Sequence, residues 1–328
     1  MNSRALVESA LAGDLLSEVP VAPLIGGHSA KLYGVSLKEA YRNPDLMARL
    51  QVKAAKYYDI DIVFHYMDTT LEPEALGVKA GLRNGLPTVL EHLIYLPEPV
   101  FEEKGRMSVF VEALRKISEE LSAEKIIGGY VLGPFTLICQ LLGLSRVFVE
   151  VMRGKGSFDE SYLMKLANYS KGYVDLLVDR GKADLIMVLE PCLSLVRPSI
   201  FQKYAQRPLA NLLQYIKNRG VISALHVCGR SGKVLPYFKE LAFDIIQIDC
   251  FIKISDAKGL LPEKCILGNL DTKLFTDAEP HEIIEQAKMC IKESQCRKHI
   301  LSAGCEVPLS SKPENIKALV KAAREVYA

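Results

Sequence analysis

The chain has 328 residues, of which 49% are hydrophobic and 24% are charged, and it contains no low-complexity tract. Such a composition can bury enough apolar surface to offset the entropy lost on ordering the chain, which excludes disordered, collagen-like and fibrous proteins. The 41 Lys and Arg residues nearly balance the 39 Asp and Glu residues without forming a basic block. The charge pattern therefore indicates no nucleic-acid partner.

The N-terminal segment and the cysteines indicate a reducing compartment. Charged residues interrupt the first twenty positions, where a secretory signal needs an apolar run. We therefore expect a cytoplasmic protein in which the eight cysteines are free thiols. Residues 126–145 carry no charge and are long enough to span a membrane, but four glycines, Pro134 and Gln140 favour a buried strand followed by a helix. We expect no membrane association.

Short apolar, β-branched runs alternate with longer segments of helical period, which is typical of βα units and a parallel sheet. The eight predicted strands are residues 19–25, 60–66, 125–132, 183–189, 221–228, 243–250, 264–268 and 299–304. The predicted helices are residues 46–57, 108–121, 162–180, 199–219, 232–241, 280–293 and 313–327. This pattern predicts an α/β fold, a TIM-type (β/α)8 barrel in one domain spanning residues 1–328, with a doubly wound open sheet as the alternative.

One segment departs from this alternation. Residues 78–82 and 86–90 flank the dipeptide Asn84-Gly85, which favours a tight primed turn between two antiparallel strands. We therefore predict a β-hairpin inserted after the second strand of the barrel.

A histidine and two cysteines lie at predicted strand ends, where parallel barrels carry their catalytic groups. His226 and Cys228 are two residues apart on the fifth strand and so share a face, and Cys305 follows the eighth strand. One imidazole and two thiols match the ligands that Zn²⁺ selects, and three protein ligands leave the fourth tetrahedral position open. Each residue alone is more often part of a core, but together they predict a catalytic metal site. Glu190 ends the fourth strand and is the candidate fourth ligand, with an orienting or substrate-binding role as the alternative.

Four further polar residues lie at or just after predicted strand ends: His65, Asp68, Asp249 and Asn269. We predict that they orient the substrate. Each would also suit a turn or a helix cap, so the pattern alone leaves both roles open.

Four segments of the chain resemble the uroporphyrinogen decarboxylase superfamily, and within it the zinc-dependent methylcobamide:coenzyme M methyltransferases. These segments are Gly133-Pro134-Phe135-Thr136, His226-Val227-Cys228-Gly229, Gly268-Asn269-Leu270-Asp271 and the tail from Ser302-Ala303-Gly304-Cys305 to Lys312-Pro313-Glu314-Asn315. The separation of Cys228 from Cys305 is similar to the His-x-Cys-xₙ-Cys zinc spacing of the methyltransferase branch. The resemblance extends over nearly the whole chain.

This resemblance implies a TIM-type barrel with a catalytic Zn²⁺ on His226, Cys228 and Cys305. It further implies that a thiol such as coenzyme M accepts a methyl group from a methylcobamide, with tetrahydrofolate as an alternative acceptor. The chain has no Asp-x-His-x-x-Gly segment of the kind that ligates cobalt. We therefore expect a separate corrinoid protein to carry the methylcobamide as a partner.

Two other functions remain open. The decarboxylase branch resembles this chain but carries an arginine-bearing segment after its first strand to hold substrate carboxylates, whereas residues 19–28 contain no arginine. The decarboxylases also need no metal. In the third hypothesis the zinc is structural, closed by four protein ligands, and the barrel binds a corrinoid or tetrapyrrole without catalysis.

Overall fold

The computed structural model describes residues 2–154 and 156–325, in which seven parallel strands form one sheet and two antiparallel strands form a hairpin. In chain order the strands are β1 Ile62–Phe64, β2 Lys79–Arg83, β3 Leu86–Glu91, β4 Ile126–Leu132, β5 Leu185–Leu189, β6 Ile222–Val227, β7 Ile245–Ile248, β8 Cys265–Leu270 and β9 His299–Ala303. The order across the sheet is β1-β4-β5-β6-β7-β8-β9, so apart from the hairpin it follows the chain.

The first predicted strand, residues 19–25, is not a regular strand but links the two edges of the sheet. Val21 forms a single parallel bridge with Leu301 of β9, and its carbonyl accepts a hydrogen bond of 2.8 Å from Asp61 N, just before β1. Pro20 and Pro23 have no N–H to donate, so a continuous ladder cannot form here. The TIM-type α/β architecture is confirmed, and the prediction of eight strands is corrected to seven strands and a connecting segment.

Helices connect the strands. The α-helices are α1 Ser3–Ala12, α2 Gly26–Leu32, α3 Leu37–Ala40, α4 Pro44–Tyr58, α5 Leu71–Ala75, α6 Met107–Leu121, α7 Pro134–Leu142, α8 Leu144–Arg153, α9 Glu160–Asp175, α10 Pro198–Ile200, α11 Gln206–Asn218, α12 Ile254–Leu260, α13 Leu274–Asp277, α14 Pro280–Ser294 and α15 Pro313–Arg324. Single π turns, Leu176–Arg180 and Phe201–Ala205, follow α9 and precede α11, within two of the predicted helices.

The predicted helix at residues 232–241 is wrong. Two short 3₁₀ turns stand in its place, Ser231–Lys233 and Leu235–Phe238. Pro236 lies inside the predicted helix, where it removes a hydrogen-bond donor and restricts the preceding residue, so an α-helix is disfavoured. The predicted end of the last helix, residue 327, lies outside the described residues, in which α15 ends at Arg324.

The hairpin after β1 is confirmed. Strands β2 and β3 pair antiparallel, with Arg83 opposite Leu86. Asn84 and Gly85 have φ values of 53° and 80°, as a primed two-residue turn requires.

The charge-free stretch at residues 126–145 is a buried strand followed by a helix, as predicted. Every residue of β4 is buried, and Pro134 begins α7 at the first helical position, where its missing N–H costs nothing. Among the described residues, no single helix is long and apolar enough to cross a bilayer, whereas α7 and α8 meet that criterion only as a pair bent by 111°.

Candidate metal centre

Neighbouring strands bring the predicted metal ligands to the carboxyl end of the sheet. His226 is the penultimate residue of β6, and Cys228 comes directly after that strand. Cys305 lies two residues beyond β9. Because parallel strands end at one edge of a barrel, residues far apart in the chain meet there.

The ligand atoms of His226, Cys228 and Cys305 all lie within 4.8 Å of one another. The sulfur of Cys305 is 3.8 Å from Nε2 of His226. The imidazole is buried and both cysteines are partly buried. The structure therefore brings together the three residues that the sequence singled out.

Gln247 orients the imidazole of His226. The two residues are partners in the register of β6 and β7, so their side chains lie next to each other. Gln247 Nε2 donates to Ala303 O at 3.1 Å, which leaves Gln247 Oε1 to accept from His226 Nδ1 at 2.8 Å. The proton of the neutral imidazole is thereby held on Nδ1, and Nε2 turns its lone pair toward the two sulfurs. Sequence reasoning missed Gln247, although it is the one polar residue in the apolar strand β7.

The thiols of Cys228 and Cys305 have pKa values that are shifted in opposite directions. The pKa of Cys305 lies well below its usual value, chiefly because Cys228 donates a hydrogen bond to its sulfur and also because His226 is close by. The same hydrogen bond, together with burial, raises the pKa of Cys228. Burial opposes charging of His226, but the Cys305 thiolate and the Gln247 acceptor outweigh it and raise the pKa of His226. Of the two thiols, Cys305 is therefore the one that loses its proton more readily.

Glu190 does not join this cluster. Its Oε1 accepts a hydrogen bond from Phe135 N at 3.0 Å, and its Oε2 accepts from the backbone N and the Oγ1 of Thr136 at 2.8 and 2.7 Å. Burial raises its pKa to about 7. The carboxyl caps the start of α7, where a helix leaves unpaired N–H groups. Its role as a fourth metal ligand stays a prediction.

His65 and Asp68 follow β1 and are both buried. His65 Nδ1 contacts Tyr66 O at 2.7 Å, and its Nε2 has no hydrogen-bond partner among the described residues. Burial lowers the pKa of His65 to about 4, so the ring is neutral. Asp68 accepts from Arg106 at 2.6 Å and from both the N and the Oγ1 of Thr70. Asp68 is thus held by the protein, whereas His65 keeps one free acceptor.

Asp249 and Asn269 connect the loops that follow β6 and β7 to the end of β8. Asp249 accepts from Gly229 N and Cys250 N, both at 2.7 Å. Asn269 Nδ2 donates to Asp249 O at 2.9 Å and to Ile252 O at 2.6 Å. Apart from Cys290 Sγ, which donates to Asn269 Oδ1 at 3.7 Å, these partners are backbone groups, so both residues hold the backbone around the metal ligands. Their role in orienting the substrate stays a prediction.

Glu306 is a second residue at this site that sequence reasoning did not select. It follows Cys305, and its Oε1 accepts from Gly27 N at 3.2 Å. Burial, together with the negative charges of Cys305 and Asp68, raises its pKa to about 8. In the sequence, only its position directly after the predicted ligand Cys305 could have indicated that Glu306 belongs to this site.

A protein-family model matches nearly the whole length of the chain. The model of the family "Uroporphyrinogen decarboxylase (URO-D)" matches residues 2–326. The chain belongs to this family.

This member of the URO-D family is similar to relatives that have two different activities. The methylcobamide:CoM methyltransferase MtbA of Methanosarcina acetivorans is 25% identical over 302 residues, covering 89% of this chain and 87% of that protein. A uroporphyrinogen decarboxylase of Trichlorobacter lovleyi is 24% identical over 319 residues, covering 87% and 86%. A solved structure of a methyltransferase from Methanosarcina mazei superposes with a TM-score of 0.86 at 23% identity, covering both chains completely, and confirms the fold.

Proposed function

We propose that this chain is a zinc-dependent methyltransferase that moves a methyl group from a methylated corrinoid to a thiol. The observation that carries the proposal is the cluster of His226, Cys228 and Cys305 at the carboxyl end of the sheet. The corrinoid is carried by a separate corrinoid protein, and the methylcobamide-dependent relatives support this assignment. Family membership alone supports an enzyme that is either a methyltransferase or a decarboxylase.

The donor set and its spacing fit zinc. Tetrahedral zinc with ordinary bond lengths separates a ligand sulfur from a ligand nitrogen by about 3.6 Å. The observed separation of Cys305 Sγ from His226 Nε2 is 3.8 Å, so small side-chain shifts would suffice. Zinc bound there would supply a Lewis acid that keeps an added thiol deprotonated near neutral pH.

The protein residues prepare this position. His226 offers Nε2 because Gln247 holds the other ring nitrogen in its protonated form. Cys228 and Cys305 bind metals as thiolates, and their two charges balance a divalent cation. Three protein ligands leave one coordination position for the sulfur of the acceptor.

The side chains near the strand ends disfavour the decarboxylase alternative. A substrate with several carboxylates requires several guanidinium or ammonium groups. Carboxyl side chains instead occupy this region: Asp68, Glu72, Glu190, Asp249 and Glu306. Among the described residues only Asp68 of these five forms a salt bridge, with Arg106 at 2.6 Å.

The proposal is tested by loading the purified chain with zinc and offering methylcobalamin or a methylated corrinoid protein with a thiol. Methylation of the thiol and formation of the reduced corrinoid, both dependent on zinc, are expected. A parallel arm offers tetrahydrofolate, since that acceptor needs no sulfur ligand at the metal. Absence of transfer to every thiol, with or without transfer to the pterin, would contradict the proposal.

We expect Gln247→Leu to weaken zinc binding by about 10-fold to 100-fold, because loss of a partner that orients a metal-binding histidine has effects of this size. The substitution removes the acceptor for His226 Nδ1 and frees the ring to rotate. Gln247→Glu is the matched control, since it keeps an acceptor at the same position and should lose less affinity. Competition with a chromophoric chelator measures both variants, and equal zinc affinity of Gln247→Leu and the wild type would refute the assigned role.

A further inference from the structure

Three segments near Cys228 form one surface at the carboxyl end of the sheet. They follow β5, β6 and β7 and comprise residues 190–197, 228–234 and 249–253. Asp249 accepts a hydrogen bond of 2.7 Å from Gly229 N, which joins the segments after β6 and β7. A Cβ atom at Gly229 would lie 3.1 Å from Ser194 Oγ, so the segment after β5 packs against the same turn. The three segments are therefore continuous with one another and with a metal ligand.

Two large apolar side chains on this surface are exposed. Leu195, after β5, is 57% exposed, and Phe251, after β7, is 54% exposed. The guanidinium carbon of Arg230, two residues after Cys228, lies 4.4 Å from the centre of the Phe251 ring. Aromatic and arginine side chains are enriched where proteins bind one another, and the cation is attracted to the face of the ring. The surface thus has the composition of a protein interface.

The exposed charge on these segments is positive. Their two acidic residues are withdrawn from solvent, because Glu190 is buried against Thr136 and Asp249 is partly buried with backbone N–H groups as its partners. Their four basic residues are all exposed, and among the described residues none of the four forms a salt bridge: Arg197, Arg230, Lys233 and Lys253. These cations are therefore not compensated within the protein.

The name basic rim is used below for the exposed apolar and basic side chains of the three segments: Leu195, Arg197, Arg230, Lys233, Phe251 and Lys253. A second copy of the chain fits the basic rim poorly. In a symmetric dimer the same patch meets itself, so the cations of one copy would face those of the other. Like charges brought together in this way disfavour such a contact. The basic rim instead fits a partner with an acidic face.

We propose that the basic rim is the docking surface for the corrinoid protein, and that the face of that protein around its corrinoid is acidic. The inference rests on the proposed function, because it requires a methyl donor that is delivered to the metal centre. A protein seated on the basic rim lies beside Cys228, where the methyl group has to arrive. Opposite charges on the two faces accelerate association and set the orientation, and the exposed apolar side chains supply contact area.

The test compares two methyl donors with the zinc-loaded chain: each methylated corrinoid protein encoded in the same genome, and free methylcobalamin. Free methylcobalamin requires no docking of a protein, so the ratio of the two kcat/KM values reports on the docking surface. The double variant Lys233→Glu with Lys253→Glu should lower this ratio at least about tenfold, because electrostatic steering changes association rates by about 10-fold to 1000-fold. Added salt should lower the ratio of the wild type and have little effect on that of the double variant.

Apolar contact is tested separately. Phe251→Ala should lower the ratio by about tenfold, since aromatic anchors contribute strongly to binding. Two adjacent residues on α14 provide matched controls, because Lys288 is exposed and Met289 is 55% exposed. Lys288→Glu and Met289→Ala repeat the same kinds of change outside the basic rim and should keep the wild-type ratio.

The possible outcomes are distinguishable. An unchanged ratio in both test variants overturns the inference, as does transfer from methylcobalamin but from none of the corrinoid proteins, and methyl transfer by the chain stands in either case. Self-association of the wild type that is lost in Phe251→Ala, measured by sedimentation velocity, would assign the basic rim to a second copy of the chain and also overturn the inference. Absence of transfer from both kinds of donor overturns the proposed function and the inference together.

Discussion

Cys305→Ser is expected to remove the bound zinc and abolish methyl transfer. The substitution replaces one of only three protein ligands with a hydroxyl, which binds zinc far more weakly than a thiolate. Zinc content should fall from one per chain to a small fraction, and kcat/KM should drop at least ~10³-fold, equivalent to about 4 kcal/mol of transition-state stabilisation. Elemental analysis and the methyl-transfer assay measure the two effects on the same sample.

Cys250→Ser is the control for this variant. Cys250 is a partly buried thiol after β7, and its backbone N donates to Asp249, so it lies close to the metal centre but outside the cluster. It should keep its zinc and most of its activity. Equal loss of zinc in the two variants, or full zinc content in Cys305→Ser, would show that Cys305 is not a specific ligand.

Gly133→Ala is expected to destabilise the fold by about 3 kcal/mol, because the new methyl group overpacks a buried site and breaks hydrogen bonds there. A Cβ at this position would lie 2.2 Å from Glu190 Cγ and 2.3 Å from Glu190 Oε1. Glu190 would have to leave Phe135 and Thr136, and the start of α7 would lose its cap. Equilibrium unfolding in urea measures the change.

Gly259→Ala is the matched control for the same substitution. Gly259 lies in α12, and no atom lies within 4 Å of a Cβ built there. Alanine in place of a helical glycine should leave stability unchanged or raise it by about 0.5–1 kcal/mol. If Gly133→Ala proved as stable as Gly259→Ala, the tight contact between Gly133 and Glu190 would be refuted.

The strands were predictable because parallel strands buried on both faces are nearly continuous apolar runs. All seven strands of the parallel sheet lie within or overlap the predicted ranges, and the hairpin follows from Asn84-Gly85. The exception, residues 19–25, has the same apolar composition, but its prolines remove the donors of a ladder. Apolar composition indicates that a segment is buried, whereas pairing with a neighbouring strand depends on which backbone N–H groups can donate a hydrogen bond.

The site was predictable where local spacing determines it. The period of two along a strand placed His226 beside Cys228, and barrel closure brought Cys305 to the same edge. Gln247 and Glu306 depend instead on backbone partners that are 56 and 279 residues away in the chain, at Ala303 and Gly27.

Glu190 is a third residue whose contacts could not be predicted from local spacing. Its position at a strand end was predicted correctly, but the geometry of α7 turns the carboxyl toward Thr136.

Zinc X-ray absorption of the purified chain, recorded with and without a thiol, tests the central claim most directly. The account predicts two sulfur neighbours in the absence of thiol and a third at about 2.3 Å once the thiol is added. Loss of the zinc signal in Cys305→Ser would tie this spectrum to the cluster. A chain without zinc, or a four-ligand spectrum that thiol leaves unchanged, would contradict a catalytic zinc centre.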